Sequence, residues 1–373
     1  MTTLAGRRES VPPSSFRPFH PLLPLGLAFG ALAVSVFFFS PRLWVLAQPM
    51  PGSTYWDRGL QFMQQCDAPI GAPLSDAALT WRLAPALLAK LLGLHGRAVF
   101  LLPWIGVLLL LSLCAAVVLR RTQDLRSAAL ATVLIGSTGA VLTPTGWLGM
   151  NDAWYASALV VIAFQPGLFF VALAAFIGPW IDERFIFALP LALYVRHASG
   201  TSEEKIRAGV VIGSLAIFTY AIARLFNLPH LATGSFQGYQ DYIRAHFFDW
   251  WPWTSLGWFM GLRAAWVLVV VAIGGNFSRH DRSSWWWPAA LAVGPLVAFN
   301  FLAADTGRSP TMLLPLVLFG VERAIALWGM TFARRLVGIL VISNLLLPAM
   351  QVTYRNGDII NALPVELLRL HRH

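Results

Sequence analysis

Charged residues are scarce in this chain of 373 residues. Asp, Glu, Lys and Arg together make up 12% of it, whereas a soluble protein carries roughly 25%. Hydrophobic residues reach 57%, and the mean hydropathy is +0.65. A soluble protein of this length cannot bury that much apolar surface, and the same composition excludes disorder, collagen and coiled coil. The class that remains is a polytopic membrane protein.

Cysteine and lysine are nearly absent. Cys66 and Cys114 form no pattern, so neither a disulfide framework nor a cysteine metal site is expected. Lys90 and Lys205 are the only lysines, and arginine therefore carries almost all of the formal charge of +10. Because no basic stretch is long enough to form a nucleic-acid-binding stripe, we predict no nucleic-acid partner. This excess of positive charge is typical of cytoplasmic loops and of arginines that contact lipid phosphate.

Signatures of common catalytic sites are also missing. The chain has no Walker loop, no Gly-x-Gly-x-x-Gly, no His-Glu-x-x-His and no Gly-x-Ser-x-Gly. The eight histidines are scattered, and no pair has metal-ligand spacing on one helix face. We therefore assign no metal ligands. The cofactor stays unknown: carboxylates are ligands that a divalent metal accepts, but no residue pattern requires one.

Apolar runs long enough to cross a membrane are frequent. A span needs about 20 mostly apolar residues. Candidates lie near 22–40, 98–119, 127–147, 207–226, 257–275, 288–304, 309–329 and 336–352. The stretch 153–196 is broken into three short apolar pieces, which are either tilted crossings or partly re-entrant segments. Counting all three as crossings predicts an all-α transmembrane helix bundle of about 11 spans.

The loops between the runs predict the orientation and the domain limits. We expect a cytoplasmic N-terminal tail at 1–21, a transmembrane domain at 22–352 and a short C-terminal tail at 353–373 that forms a surface helix. Two long outer loops, 41–96 and 227–256, mix aromatic and charged residues as amphipathic interfacial helices do. With eleven crossings, the arginine clusters fall on the cytoplasmic side. The arginine-rich composition favours a bacterial inner (cytoplasmic) membrane.

Most acidic residues then fall on the outer face, where carboxylates at the membrane boundary are candidate functional groups. The candidates are Asp57, Asp152, the consecutive pair Asp182 and Glu183, and Asp305. Such a carboxylate is a candidate general base for a hydroxyl group. Each also has an ordinary explanation, as an exposed ion pair, a helix N-cap or a tight turn.

Arginines predicted on the same face would bind a phosphate, because a guanidinium group suits bidentate contacts with phosphate oxygens. These arginines are Arg58, Arg184, Arg244, Arg263 and Arg308. An acid close to them would deprotonate an acceptor hydroxyl while a phosphate-linked group leaves.

Four motifs carry a family resemblance. They are the run from Asp76 through Arg82 and Pro85 to Leu92-Gly93-Leu94, the pair Asn151-Asp152, the triplet Asp182-Glu183-Arg184 ahead of Pro190, and Asp305-x-x-Arg308 ahead of Pro315. Over about residues 20–330, the chain resembles bacterial polytopic membrane proteins related to GT-C fold glycosyltransferases.

The resemblance implies an enzyme that uses a polyprenyl-phosphate sugar as donor, with its active site on the extracytoplasmic side. An acidic residue in the first outer loop is usually the catalytic base in that fold, which would be Asp57 or, second, Asp76. Arg184 and Arg308 would bind the donor phosphate. The chain departs from better-known members because its first outer loop lacks an adjacent acidic pair, and this leaves a metal requirement open.

Two other functions fit the same composition. A transporter or flippase for a lipid-linked substrate would use the broken helices around its substrate site. A non-catalytic membrane subunit of an envelope assembly complex would use the aromatic residues for contacts with lipid and protein. The sequence predicts the lipid bilayer and a polyprenyl-phosphate-linked donor as partners, and it identifies no protein partner.

Overall fold

A computed structural model describes most of the chain, and most of the described part is helical. The described residues are 20, 22–43, 45, 54–72, 74, 77–227, 251–275, 286–300, 305–353 and 356–372. The α-helices are α1 (Leu22–Phe38), α2 (Thr54–Asp67), α3 (Ala77–Trp81), α4 (Leu83–Leu91), α5 (Leu101–Thr122), α6 (Leu125–Gly136), α7 (Gly139–Gly146), α8 (Asp152–Phe164), α9 (Leu168–Ile177), α10 (Arg184–Ala198), α11 (Glu203–Asn227), α12 (Trp251–Leu262), α13 (Trp266–Gly274), α14 (Trp286–Asn300), α15 (Leu314–Leu346) and α16 (Leu363–Arg372). Short 3₁₀ helices cover Gly96–Phe100, Gly178–Trp180, Arg263–Ala265 and Thr306–Leu313. The all-α prediction is confirmed for this bundle.

Helix α5 shows how the sequence sets the membrane helices. Its 22 residues are mostly leucine and other apolar types, and at 1.5 Å per residue they extend about 33 Å, close to the thickness of the hydrocarbon core. The helix ends at Gln123, which adopts a left-handed conformation (φ 54°). The Asp124 carboxylate then accepts a hydrogen bond from the backbone N–H of Ser127 (2.8 Å) and caps α6. Burial favours the neutral acid, but this capping bond and Arg334 together outweigh burial and lower the pKa of Asp124.

The expected count of about 11 full-length spans is wrong. Among the described residues, four helical stretches are long and apolar enough to cross a membrane, or five if the bent pair α6 and α7 is one span. Other apolar helices, such as α8 with 13 residues and α9 with 10, are shorter than a crossing needs. Pro166 is one cause, because a residue that precedes proline avoids the helical conformation; Gln165 is accordingly extended.

Helix α15 reverses direction at Gly329. This glycine has φ 80° and ψ 163°, which is not helical. Glu322 and Arg334, on opposite sides of it, both pair with the turn between α5 and α6, at Arg121 (3.5 Å) and Asp124 (3.1 Å). The two parts of α15 therefore run antiparallel, and the longest apolar stretch of the chain is a helical hairpin.

Small residues allow the helices to pack closely, as in other membrane bundles. Gly106 of α5 lies against the indole of Trp154, and Gly320 of α15 lies against the backbone carbonyl of Leu268 in α13, so that neither position has space for a Cβ atom. One large apolar core follows, shared by α1 and α5 to α15.

The described part of the loop 41–96, which the sequence predicts to be the first outer loop, contains α2, α3 and α4. Trp56, Phe62 and Cys66 lie on the buried side of α2 and form a second apolar cluster with the start of α5. The amphipathic pattern predicted for this loop is thus observed in its described part. Most of the second outer loop, 227–256, lies outside the described residues.

The end of the chain contains a helix, as predicted, but a β-hairpin that was not predicted precedes it. Strands β1 (Ala349–Thr353) and β2 (Asn356–Ile360) form an antiparallel hairpin, in which Ala349 pairs with Ile360. The hairpin begins inside the range expected to be transmembrane, and a helix, α16, follows it. Three of the five side chains of β1 are buried, those of Ala349, Gln351 and Val352, because the strand packs against α12 and the 3₁₀ helix Thr306–Leu313.

We expect Gly329→Ala to destabilise the protein by about 1–3 kcal/mol, because its backbone lies in a region that is essentially restricted to glycine. Gly26→Ala is the matched control: Gly26 lies within helix α1, and a Cβ atom at either glycine meets no neighbour within 4 Å. Unfolding of the purified protein in mixed micelles measures both variants. Equal stability of the two variants would contradict the reversal at Gly329.

Candidate functional site

Eight charged side chains meet at one end of the bundle, and we call them the acid–arginine cluster. They are Asp152, Asp182, Glu183, Asp305, Arg82, Arg184, Arg224 and Arg308. The residues come from five parts of the sequence, so only the tertiary fold brings them together.

Arg308 is the centre of the cluster. It lies in the 3₁₀ helix Thr306–Leu313 and is buried. Its Nε contacts both carboxylate oxygens of Asp152 (3.0 Å each), one terminal nitrogen donates to Asp305 (2.8 Å), and the other contacts Asp182 (3.4 Å). One guanidinium group thus joins three carboxylates.

Asp182 contacts two further arginines. It lies between the 3₁₀ helix Gly178–Trp180 and α10, and it accepts a hydrogen bond from the backbone N–H of Arg184 (3.0 Å). The Arg184 guanidinium group contacts the same carboxylate (3.2 Å), and its other terminal nitrogen donates to the backbone carbonyl of Asp305 (3.3 Å). Arg82, which precedes α4, approaches Asp182 at 3.2 Å. Arg184 also lies over the ring of Phe299, 4.4 Å from its centroid.

Glu183 forms the more open side of the cluster. It accepts hydrogen bonds from Arg82 (3.1 Å) and pairs with Arg224 of α11 (3.8 Å). Arg224 lies over the ring of Trp81 and contacts the hydroxyl group of Tyr220 (3.3 Å). The pair of Glu183 and Arg224 therefore ties the end of α11 to the cluster.

The C-terminal hairpin completes the surroundings of Asp305. The Gln351 side chain of β1 donates to the Asp305 carboxylate (2.8 Å) and accepts a hydrogen bond from the hydroxyl group of Thr143 in α7 (2.9 Å). Both oxygens of the Asp305 carboxylate are therefore oriented, one by Gln351 and the other by Arg308.

The charges of the cluster balance, with four carboxylates facing four guanidinium groups. Burial alone raises the pKa of Asp182, but the guanidinium groups of Arg82, Arg184 and Arg308 outweigh burial and hold that pKa below its ordinary value. Asp182 is therefore ionised at neutral pH and acts as a counter-ion, which makes it a poor general base. The side chains of Glu183 and Asp305 are 14% and 21% exposed, against 3% for Asp182.

Six of the residues predicted from the sequence lie in this cluster: Asp152, Asp182, Glu183, Arg184, Asp305 and Arg308. The N-cap explanation does not account for Asn151-Asp152. Helix α8 begins at Asp152, the side chain of Asn151 makes no capping hydrogen bond, and the Asp152 carboxylate binds Arg308 instead.

The remaining predicted residues are not among the described members of the cluster. Among the described contacts of the cluster, none involves Asp57 or Arg58, which are half-buried on α2. Asp76 and Arg244 lie outside the described residues.

Arg263 binds backbone carbonyls and is not among the residues that form the ion pairs of the cluster. Its guanidinium group donates to the backbone carbonyls of Ser137 (3.1 Å), Asn344 and Leu347, at the ends of α6 and α15. It also lies over the ring of Phe39 (4.6 Å). Because carbonyl oxygens occupy this guanidinium group, we do not retain Arg263 as a phosphate ligand.

Four cluster contacts were not predicted: Arg82, Arg224, Gln351 and Thr143. Arg82 directly follows Trp81 and is one of few arginines in the first outer loop, which is the one signal that sequence reasoning could have used. No comparable signal points to Gln351, because it lies in an apolar stretch that is expected to be membrane-spanning.

Within the described parts of the chain, no group of three His, Cys, Asp or Glu side chains is placed to hold a metal ion. Three carboxylates do approach one point, but the guanidinium group of Arg308 occupies it.

An apolar groove of about 670 Å³ lies beside the cluster. Helices α4, α5, α8 and α9 line it, with side chains that include Leu87, Leu109, Ala158, Leu173 and Ile181. Ile181 is adjacent in sequence to Asp182, and the lining begins at Ala84, two residues after Arg82. Two sequence neighbours of cluster residues thus line the groove, while none of its lining residues is charged.

Comparisons with known proteins give no relative: no protein-family model, no curated protein and no solved structure matches this chain.

We expect Arg308→Gln to destabilise the protein by about 3–5 kcal/mol, because it leaves three buried carboxylates without their shared cation. Arg334→Gln is the control. Arg334 pairs with Asp124 in a half-exposed position, and its loss should have an effect below about 1 kcal/mol. Unfolding in mixed micelles measures both. Similar losses in the two variants would show that Arg308 is an ordinary surface cation.

Proposed function

We propose that the chain is an integral membrane glycosyltransferase-like enzyme. It transfers a sugar from a polyprenyl-phosphate donor to an acceptor on the extracytoplasmic side of a bacterial inner membrane, with its N-terminus in the cytoplasm. The observation that carries this proposal is the convergence of Asp152, Asp182 and Asp305 on Arg308 at the end of an apolar groove. A catalytic constellation requires such convergence, because its groups have to reach one substrate.

The groove supports a lipid-linked donor. Its lining is almost entirely apolar, so that it favours a hydrocarbon chain over a sugar. Arg82 lies two residues before the first lining residue of the groove, and guanidinium groups favour a phosphate group. A polyprenyl phosphate combines both features, with the tail in the groove and the phosphate at the arginines.

The exposure of the arginines divides their roles. Arg184 and Arg308 are buried and fully engaged with carboxylates. Arg82 and Arg224 are more exposed, at the open side of the cluster. We therefore assign the donor phosphate to Arg82 and Arg224, and we assign to Arg184 and Arg308 the positioning of the carboxylates.

Asp305 is the best candidate for the general base. It is the most exposed carboxylate of the cluster, and Gln351 and Arg308 orient its two oxygens. In the proposed reaction, Asp305 takes the proton of the acceptor hydroxyl as the oxygen of that hydroxyl bonds to the anomeric carbon. The bond from that carbon to the phosphate oxygen breaks, and the polyprenyl phosphate leaves with the electron pair. Asp57 remains the alternative base implied by the family resemblance.

The mutual pairing of the charges favours one alternative, a non-catalytic membrane subunit. In that case, the cluster only holds the ends of the helices together, and buried ion pairs of this kind are known to serve specificity of folding. An isosteric substitution of Asp305 distinguishes the two functions through its effect on product formation.

We expect Asp305→Asn to lower sugar transfer by roughly 100- to 10,000-fold, because the amide cannot accept the proton. Asp358→Asn is the control. Asp358 lies on β2 and pairs with Arg42 (3.7 Å). Release of polyprenyl phosphate from synthetic polyprenyl-phosphate hexoses, measured by mass spectrometry with purified protein in nanodiscs, reports the activity. Loss in Asp57→Asn alone would move the base to α2. No release by the wild-type protein from any donor would reject the enzyme.

We expect Ala158→Phe to raise the KM for a long-chain donor and to leave the KM for a short-chain analogue unchanged, because the added ring fills the groove. Ala221→Phe is the control: it adds the same ring on the exposed surface of α11. The same release assay with donors of different chain length measures both variants. An equal effect of Ala158→Phe on both chain lengths would show that the tail binds elsewhere.

A further inference from the structure

Helix α16 buries its one acidic residue and exposes large apolar residues. Glu366 is buried; its carboxylate accepts a hydrogen bond from the Asn361 side chain (2.7 Å) and pairs with Arg369 (3.4 Å). On the opposite side, Val365, Leu367 and Leu368 are 43%, 50% and 63% exposed. This is the reverse of an amphipathic helix on a soluble protein, which buries its apolar face.

The buried glutamate fixes this orientation. Rotating α16 to bury the leucines would bring Glu366 to the surface and break its hydrogen bond with Asn361. The exposed apolar face is thus a stable feature of the fold, and an apolar solvent around it would be favourable.

The position of α16 identifies that solvent. The backbone N–H of Ser40, just after α1, donates to the carbonyl of Asn361 (2.7 Å), and α16 contacts α1. Arg42 lies over the ring of Trp147 at the same level (4.5 Å). Tryptophan and arginine are typical of the membrane interface, and α16 therefore lies where the hydrocarbon core gives way to the lipid head groups.

The charges of α16 fit the same surroundings. Arg369 and His371 are exposed, and a cationic side chain next to exposed leucines suits a layer that contains lipid phosphates above acyl chains.

We infer that α16 is an interfacial membrane anchor, with Val365, Leu367 and Leu368 inserted into the acyl region of a phospholipid bilayer. The anchor does not require that the chain be an enzyme. Helix α16 follows the hairpin that carries Gln351.

Environment-sensitive fluorescence tests this anchor in the full-length protein. A nitrobenzoxadiazole label is attached to Leu368→Cys, and the protein is reconstituted into vesicles of phosphatidylethanolamine and phosphatidylglycerol with nitroxide lipids. The native thiols Cys66 and Cys114 are buried, so the introduced cysteine is the one that reacts. Two labelled controls calibrate the signal: Leu215→Cys, on the exposed surface of the spanning helix α11, and Glu204→Cys, at its exposed end.

We expect a blue-shifted emission at position 368, with stronger quenching by shallow than by deep nitroxides, at a depth of about 5–10 Å. The label at 215 should be quenched best by deep nitroxides, and the label at 204 by neither. Water-like emission at 368 would overturn the anchor. Blue-shifted emission that neither nitroxide quenches would also overturn it, because protein, such as a second copy of the chain, would then cover the helix. Leu367→Cys repeats the measurement if the first variant fails to fold.

Discussion

The guanidinium group of Arg308 pairs with carboxylates from three separate segments, at Asp152, Asp182 and Asp305. Buried charges in a membrane bundle are tolerated only when they are paired, because each unpaired charge loses its solvation without compensation. The Arg308 side chain therefore has to be placed so that it reaches three elements at once: α8, the turn before α10 and the segment before α15. The relative placement of these elements, and with it the shape of the end of the groove, depends on this one group.

The class of fold follows from composition because membrane helices require long apolar stretches, and few other proteins tolerate 12% charged residues. The number of spans does not follow, since hydropathy does not tell whether an apolar segment crosses a bilayer or packs inside a protein. Helices α8 and α9 are as apolar as true spans but are too short. Gly329 folds α15 back on itself through its backbone angles, and one glycine among thirty gives no sign of this in the sequence. The β-hairpin reads as the end of a span because β1 is largely apolar.

The acids of the site could be predicted because carboxylates at membrane depth are rare and need a reason. Their partners could not, since the pairing of Arg82 with Glu183 joins residues 101 positions apart. Arg263 shows the same limit from the other side. In sequence, an arginine that binds backbone carbonyls looks the same as one that binds phosphate, and only the neighbouring carbonyls of Ser137 and Asn344 distinguish them. The role of Asp57 as a base is implied by the resemblance alone. The described contacts that place α2 are the apolar ones of its buried side.

A double-mutant cycle between Asp152 and Arg308 tests the central claim most directly, because Arg308 contacts both carboxylate oxygens of the fully buried Asp152 (3.0 Å each). The unfolding free energies of wild type, Asp152→Asn, Arg308→Gln and the double variant are compared in one micelle system. If one guanidinium group organises the cluster, the double variant loses clearly less stability than the sum of the single variants, with a coupling energy of about 0.5–3 kcal/mol. Additive losses would mean that the two residues act independently, and they would contradict the account.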